Sequence, residues 1–305
     1  MHSAQIQEWG QAPKYIEVDD LPTPTSEEVR IQVIATGIHN VVRSRASGQH
    51  YTSGSLPHIP GVDGVGRIEA DGQLVYWFSM GHGTMAEFVN IPKRNVRTLP
   101  QGTNPVQAAG IINPALSSWM AFKTRVNDLP TDFTVLIVGA TSASGRVAIS
   151  IARSLGAKRV IGAARNKSAM ATLGLDDTIV FAGKPEETDW TSLGDVDVIL
   201  DYVYGPATAH LLASLKSARP TQYVHIGALS GQDLSLPGAV LRSKNLTIRG
   251  SGPGAWAMSE MAQSIDELLA LVKDIPEQPI KLAKLKDIES VWDEPAGSGR
   301  LVIEP

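Results

Sequence analysis

Cysteine is missing altogether from the 305-residue sequence. Its absence excludes disulfides, thiolate metal sites and cysteine nucleophiles, and it suits a reducing compartment. Apolar runs of transmembrane length, roughly 18 residues, are missing too. The first residues, MHSAQIQEWG, lack the basic and apolar regions of a signal peptide. We therefore expect a cytoplasmic protein with no membrane partner.

An excess of positive charge is also absent. The 27 lysine and arginine residues face 31 acidic residues, which gives a net charge of −4. Since no basic tail or stripe is present, a nucleic-acid partner has no electrostatic support. What remains, 43% hydrophobic residues with 28 glycines and 19 prolines, is typical of a packed globular protein rich in turns. The length favours two domains.

Two kinds of hydrophobic pattern divide the chain. The N-terminal third has short alternating apolar runs and dense turn signals, which predict a small antiparallel β-barrel or sandwich. A helical stretch with Asn104 as N-cap follows, and Pro114 predicts that it divides into two pieces at Asn113-Pro114. From Thr134 onward strands and helices alternate, as in a doubly wound parallel sheet.

The tail returns to mixed character, which indicates how the domains are arranged along the chain. We predict an α/β protein in which both chain ends, residues 1–108 and 246–305, form one β domain. A Rossmann domain, residues 109–245, is inserted between them.

The strongest chemical signal is the segment VLIVGATSASGRVA, which begins at Val135. A buried strand enters a turn of small residues and a helix opens directly after it, an arrangement that lets backbone approach a pyrophosphate. Plain packing of a strand–turn–helix junction is the alternative. The cofactor-binding candidates in this turn are Gly139, Thr141, Ser142, Ala143, Ser144, Gly145 and Arg146.

The end of the next strand predicts which nicotinamide cofactor binds. Proteins that bind NAD carry an acidic residue there for the ribose hydroxyls, but this sequence has Arg165, Asn166 and Lys167. Because arginine can hold a 2′-phosphate through two hydrogen bonds, we expect NADPH. A solvated basic turn is the alternative. Further cofactor-binding candidates follow later strands: Tyr202, Gly227 and Ala228.

Four passages carry a resemblance to a known family. They are GIHN from Gly37, IPGVDGVG from Ile59, GTMAE from Gly83 and NPALSSW from Asn113. Together they resemble the medium-chain dehydrogenase/reductase superfamily, in particular its zinc-independent branch of quinone oxidoreductases and enoyl reductases. The resemblance covers nearly the whole chain. It implies that the β domain is a GroES-like barrel and that the active cleft lies between the two domains.

The same resemblance bears on zinc. His39 stands where metal-dependent relatives carry a cysteine, Val62 where they carry a histidine, and Asn113 near a third ligand. Valine cannot bind zinc and no thiolate is present, so we expect activity without metal. Four histidines match no ligand spacing and are interpreted as scattered polar residues: His39, His50, His58 and His82.

Hydride transfer from NADPH without zinc needs hydrogen-bond donors and a proton source from the protein. The resemblance points to Tyr51 near the substrate, with a structural loop tyrosine as the alternative. Asn40 and Asn113 are the other catalytic candidates, and a turn-capping role competes for each. Asp63 lies in a glycine-rich turn that it organises.

Two functional hypotheses remain. The first is an NADPH-dependent oxidoreductase that reduces quinones or α,β-unsaturated carbonyls, and the second is an NADPH-binding structural or sensing protein with little turnover. The position of the nucleotide turn excludes a short-chain dehydrogenase, and the ligand positions exclude a zinc alcohol dehydrogenase. By the same resemblance, Leu246–Gly250 is an edge strand through which we expect a homodimer.

Overall fold

Two compact units make up the protein in a computed structural model, which describes residues 1–294 and 299–305. The first unit contains residues 1–113 and 269–305, and the second contains residues 114–268. The first unit is thus formed from both chain ends.

The first unit is built mainly of antiparallel strands. Its strands are β1 His2–Gln5, β2 Lys14–Glu17, β3 Glu28–Gly37, β4 Asp63–Ile68, β5 Leu74–Phe78, β6 Phe88–Pro92, β7 Val96–Thr98, β14 Ile280–Lys284 and β15 Arg300–Glu304. A seven-stranded sheet has the order β14-β15-β3-β4-β5-β7, with β6 also paired to β3. Only the β14–β15 pair in it is parallel, and β1 and β2 form a separate antiparallel pair.

Alternation along β3 gives this sheet its buried face. Ile31 and Val33 point into a hydrophobic cluster, whereas Gln32 between them is exposed. The cluster consists of Ile31, Val33, Val75, Trp77, Val89 and Ile91. Two short helices belong to the same unit: α1 Asn40–Ala46 and α8 Ile288–Val291.

The second unit contains a six-stranded parallel sheet. Its strands are β8 Thr134–Val138, β9 Arg159–Ala164, β10 Asp177–Val180, β11 Val198–Asp201, β12 Thr221–His225 and β13 Leu246–Gly250, in the order β10-β9-β8-β11-β12-β13. All residues of β8 are buried, as expected for a central parallel strand. Its helices are α3 Ala143–Ser154, α4 Lys167–Met170, α5 Pro206–Ser214, α6 Gly238–Ser243 and α7 Met258–Leu271.

The predicted boundary at residue 246 is wrong. β13 pairs in parallel with β12 along its whole length, so backbone hydrogen bonds fix it in the second unit. Most of helix α7 follows it there, and the boundary falls within this helix, at Leu269. The first boundary falls between Asn113 and Pro114 instead of at residue 109.

Helix α2, Pro105–Arg125, is continuous, so its predicted division at Asn113-Pro114 is also wrong. The Asn104 side chain caps its start by accepting hydrogen bonds from two backbone amides. An internal proline costs about 3 kcal/mol. The apolar side chains on both sides of Pro114 are almost fully buried, and each such side chain contributes about 1.5–3 kcal/mol, which offsets that cost. No helix in the described residues is long and apolar enough to cross a membrane.

Candidate nucleotide site and active-site residues

The junction between β8 and α3 has the backbone geometry of a nucleotide turn. Gly139 has φ of +90°, a conformation that residues with a side chain rarely adopt. Ser142 is the N-cap of α3, and its hydroxyl accepts a hydrogen bond from the Gly145 amide at 3.0 Å. The amides of Ala143 and Ser144 donate to no acceptor in the described residues. Two backbone donors at the positive end of a helix therefore remain for an anion.

Gly145 holds the helix close to the turn. A β-carbon at this position would lie 2.3 Å from the carbonyl oxygen of Gly139, so only glycine fits without moving the backbone. Arg146 stabilises the same turn, because its Nε donates to the carbonyl of Thr141 at 3.1 Å. The structure thus brings the seven predicted turn residues together in one strand–turn–helix unit.

The end of β9 is basic and exposed. Arg165, Asn166 and Lys167 line a surface depression of about 760 Å³ together with Ser168 and Ala171. No acidic side chain among residues 1–294 and 299–305 pairs with Arg165 or Lys167. Both cations are therefore available to a ligand.

Asn166 has a structural role at this end of β9. Its side-chain oxygen accepts hydrogen bonds from the Ala169 amide at 2.9 Å and from the Ser168 hydroxyl at 2.8 Å. It is therefore the N-cap of α4, and only its amide nitrogen remains for a cofactor.

Asp201, the last residue of β11, organises the next two strand ends and is fully buried. Its carboxylate accepts hydrogen bonds from the amides of Val203 and Tyr204 and from the hydroxyls of Thr208 and Tyr223. Burial, and then Asp201, raises the pKa of Tyr223, which keeps that hydroxyl protonated. Sequence reasoning missed this role, although an acid at the end of a buried parallel strand was a signal for it.

Tyr202, a predicted cofactor residue, is almost fully buried. Its hydroxyl makes no well-aligned hydrogen bond, and burial raises the pKa of Tyr202 to about 12, opposed by the Ser117 and Ser118 hydroxyls. Its backbone packs against Gly227, where a β-carbon would lie 3.1 Å from the Tyr202 carbonyl oxygen. The structure thus brings Tyr202 and Gly227 together, with Ala228 half-buried beside them.

An aromatic pair missed by sequence reasoning lies at the same edge of the parallel sheet. The rings of Tyr204 and His225 have their centroids 4.1 Å apart. Tyr204 adopts φ of +58°, which is rare for a residue with a side chain. Burial lowers the pKa of His225, whereas Asp201 opposes the shift, so a neutral imidazole is favoured. Ligands of open parallel sheets bind at this edge.

The three predicted catalytic residues belong to the first unit. Tyr51 is 73% exposed and stacks on His50, with ring centroids 4.2 Å apart. Asn40 is the exposed first residue of α1, and Asn113 is half-buried inside α2. The side chain of neither asparagine makes a hydrogen bond to a described residue, so the competing turn-capping role receives no support.

His39 belongs to a buried polar cluster in the first unit, whereas the sequence pattern indicates a scattered polar residue. His39 is 2% exposed, and its Nε2 lies 3.2 Å from Asp63 Oδ1 without the alignment of a hydrogen bond. Tyr76 donates to the other Asp63 oxygen at 3.1 Å. Burial lowers the pKa of His39, opposed by Asp63. No group of three side chains suited to hold a metal ion occurs in the described ranges.

Comparison with known proteins supports one family. No protein-family model matches the sequence. The chain is 35% identical over 357 residues to the probable NADPH-dependent quinone reductase tdiC of Emericella nidulans, and the match covers 100% of both proteins.

Solved structures show the same fold. The quinone oxidoreductase of Thermus thermophilus, described with its NADPH complex, superposes with a TM-score of 0.84 at 24% identity over 100% of both chains. An NAD-dependent alcohol dehydrogenase gives 0.85 at 21% identity, again over 100% of both. At these identities structural likeness establishes the fold, whereas the relative from Emericella nidulans establishes the family. The chain belongs to the quinone oxidoreductase-like branch of the medium-chain dehydrogenase/reductase superfamily.

Proposed function

We propose that this protein is an NADPH-dependent oxidoreductase that transfers hydride to a quinone or an α,β-unsaturated carbonyl without a metal. The proposal depends on two features of the second unit. One is the Gly139–Gly145 turn, and the other is the pair Arg165 and Lys167 at the end of the next strand, which no described carboxylate pairs with. The family assignment supports the same reaction class.

The residues of the second unit fit NADPH. The amides of Ala143 and Ser144 bind the pyrophosphate, because they point from a helix N-terminus and no described residue accepts from them. Arg165 and Lys167 hold the 2′-phosphate. When bound, NADPH supplies the hydride, and the protein orients it and stabilises the charge that develops on the acceptor oxygen.

Tyr51, Asn40 and Asn113 are the proposed donors to that oxygen in the first unit. Each carries a side-chain donor on an exposed or half-buried residue. The proposed absence of metal rests on Val62, which is fully buried and apolar, and on the lack of cysteine in the sequence. We also assign a GroES-like barrel to the first unit, supported by its mostly antiparallel seven-stranded sheet.

A homodimer through β13 belongs to the same proposal. This strand forms one edge of the parallel sheet, and Ile248 on it is 40% exposed. Unpaired strand edges with apolar side chains favour pairing with another chain. Light scattering is expected to give twice the monomer mass of 32.6 kDa, and a monomer at micromolar concentration would remove this part of the proposal.

Steady-state oxidation of NADPH with a panel of quinones and enones tests the function. We expect turnover that survives a chelator and that is faster with NADPH than with NADH. In the same assay Tyr51→Phe is expected to slow enone reduction roughly tenfold, less than the loss seen at a fully enclosed donor. Binding of NADPH without turnover would instead favour a sensing role.

A further inference from the structure

An arginine in the first unit is buried without a counter-ion in the described residues. Arg45, in the last turn of α1, is 5% exposed. Its Nε has no hydrogen-bond partner there, and its Nη1 makes one hydrogen bond in the described residues, to the sulfur of Met80 at 3.4 Å. No carboxylate in the described part of the chain forms an ion pair with it.

Two histidines lie close enough to Arg45 for its charge to act on them. His50 and His58 lie near Arg45, and the pKa of each is lowered, first by burial and then by Arg45. The segment that carries them is held against α1, since the Ser53 hydroxyl donates to the Arg45 carbonyl at 3.0 Å. We call Arg45, His50 and His58 the Arg45 cluster.

Arginine stays charged in proteins, so the guanidinium cannot avoid the cost of burial by losing its proton. A buried charge without a partner costs several kcal/mol, and proteins almost always pair it. Met80 offers only a weak acceptor. The partner that the described residues do not supply is therefore expected to come from a ligand.

We propose that the Arg45 cluster binds the anionic group of the substrate, a carboxylate or an ionised hydroxyl, so that the preferred acceptors are acidic quinones or enones. This proposal rests on the proposed reductase function and adds the substrate class. The planar guanidinium suits a carboxylate because two parallel hydrogen bonds match both oxygens. His50 and His58 add donors when an anion is bound.

Two probes of nearly equal size test it: 3-(1,4-naphthoquinon-2-yl)propanoate and its methyl ester. The ratio of kcat/KM for the acid to that for the ester is measured with NADPH. Titration calorimetry without NADPH measures binding of each probe. One charge-assisted contact is worth about tenfold or more, so we expect the native protein to prefer the acid by at least that factor.

Arg45→Met is expected to bring both ratios close to one, because it keeps a long apolar side chain and removes the charge. Arg94→Met, an exposed arginine in the same unit, is the matched control and should keep the preference. Arg45→Lys should lower the preference at least about threefold because the two-point geometry is lost. It serves as the test variant should Arg45→Met fail to fold.

The outcomes separate the two proposals. If neither probe is reduced, the reductase function fails, and calorimetry still decides whether Arg45 selects the acid. If both probes are reduced and bound equally well by the native protein, the Arg45 proposal is overturned while the reductase function stands. A preference that survives Arg45→Met or Arg45→Lys unchanged would overturn it as well.

Discussion

The two units differ in how completely their most deeply buried acidic and basic side chains are satisfied. In the second unit, the buried Asp201 carboxylate accepts four hydrogen bonds, and the nucleotide turn is fixed by glycines and a serine cap. In the first unit, His39 and Arg45 are equally buried but keep polar atoms without partners among the described residues. A site made of backbone is complete before its ligand arrives. A site made of buried side chains carries an electrostatic cost until the ligand binds.

The largest expected effect comes from a substitution in the turn between β8 and α3. Gly145→Ala places a methyl group 2.3 Å from the Gly139 carbonyl oxygen. Because that oxygen belongs to backbone, the helix must shift, and we expect a loss of about 3 kcal/mol in the free energy of unfolding. Urea denaturation measures the loss, and NADPH affinity should fall with it.

Gly183→Ala is the control, since a β-carbon there meets nothing within 4 Å. Its free energy of unfolding should stay within about 0.5 kcal/mol of the native value. Equal stability of the two variants would mean that close packing at Gly145 does not matter.

A smaller effect is expected from a substitution in the same unit that changes cofactor affinity and leaves stability unchanged. Arg165→Ala removes the charge-assisted contact that we propose to the 2′-phosphate, so NADPH binding should weaken about tenfold while NADH binding is unchanged. Fluorescence titration of both cofactors measures this. Arg242→Ala, another exposed arginine of the second unit, should leave both affinities alone. Equal native affinity for the two cofactors would contradict the assignment.

The smallest expected effect is on how the stability of the protein depends on pH, through a histidine of the first unit. Since burial lowers the pKa of His39 below its usual 6.5, the unfolded chain takes up a proton that the folded chain refuses. Stability is therefore lost as the pH falls below about 6.5, by at most about 1.4 kcal/mol per pH unit.

His39→Gln should flatten this loss between about pH 6.5 and 5, as followed by urea denaturation. His225→Gln in the second unit should flatten it less, because His225 is only half-buried. An unchanged pH dependence in His39→Gln would show that another group is responsible.

The two units also differ in how much of the candidate site the sequence predicts. The turn from Gly139 to Gly145 and the basic end of β9 are contiguous in sequence, so local pattern finds them. The His39–Asp63 contact joins the start of α1 to β4, and only folding brings these segments together. The burial of Arg45 without a counter-ion in the described residues likewise depends on packing that no local pattern shows. Continuous α2 across Pro114 was missed for a related reason, since tertiary burial on both sides overrides a local helix breaker.

The exposure of Arg165 and Lys167 has a consequence for how cofactor preference can change. These side chains stand outside the packed interior, whereas Gly139 and Gly145 are locked by steric contact. Substitutions at the two basic positions therefore cost almost no stability. With Arg165 and Lys167 holding the 2′-phosphate, as we propose, a few surface changes would move this scaffold between phosphorylated and unphosphorylated dinucleotides. Gly139 and Gly145 meanwhile tolerate almost no substitution, because the first has a positive φ and the second packs directly against backbone.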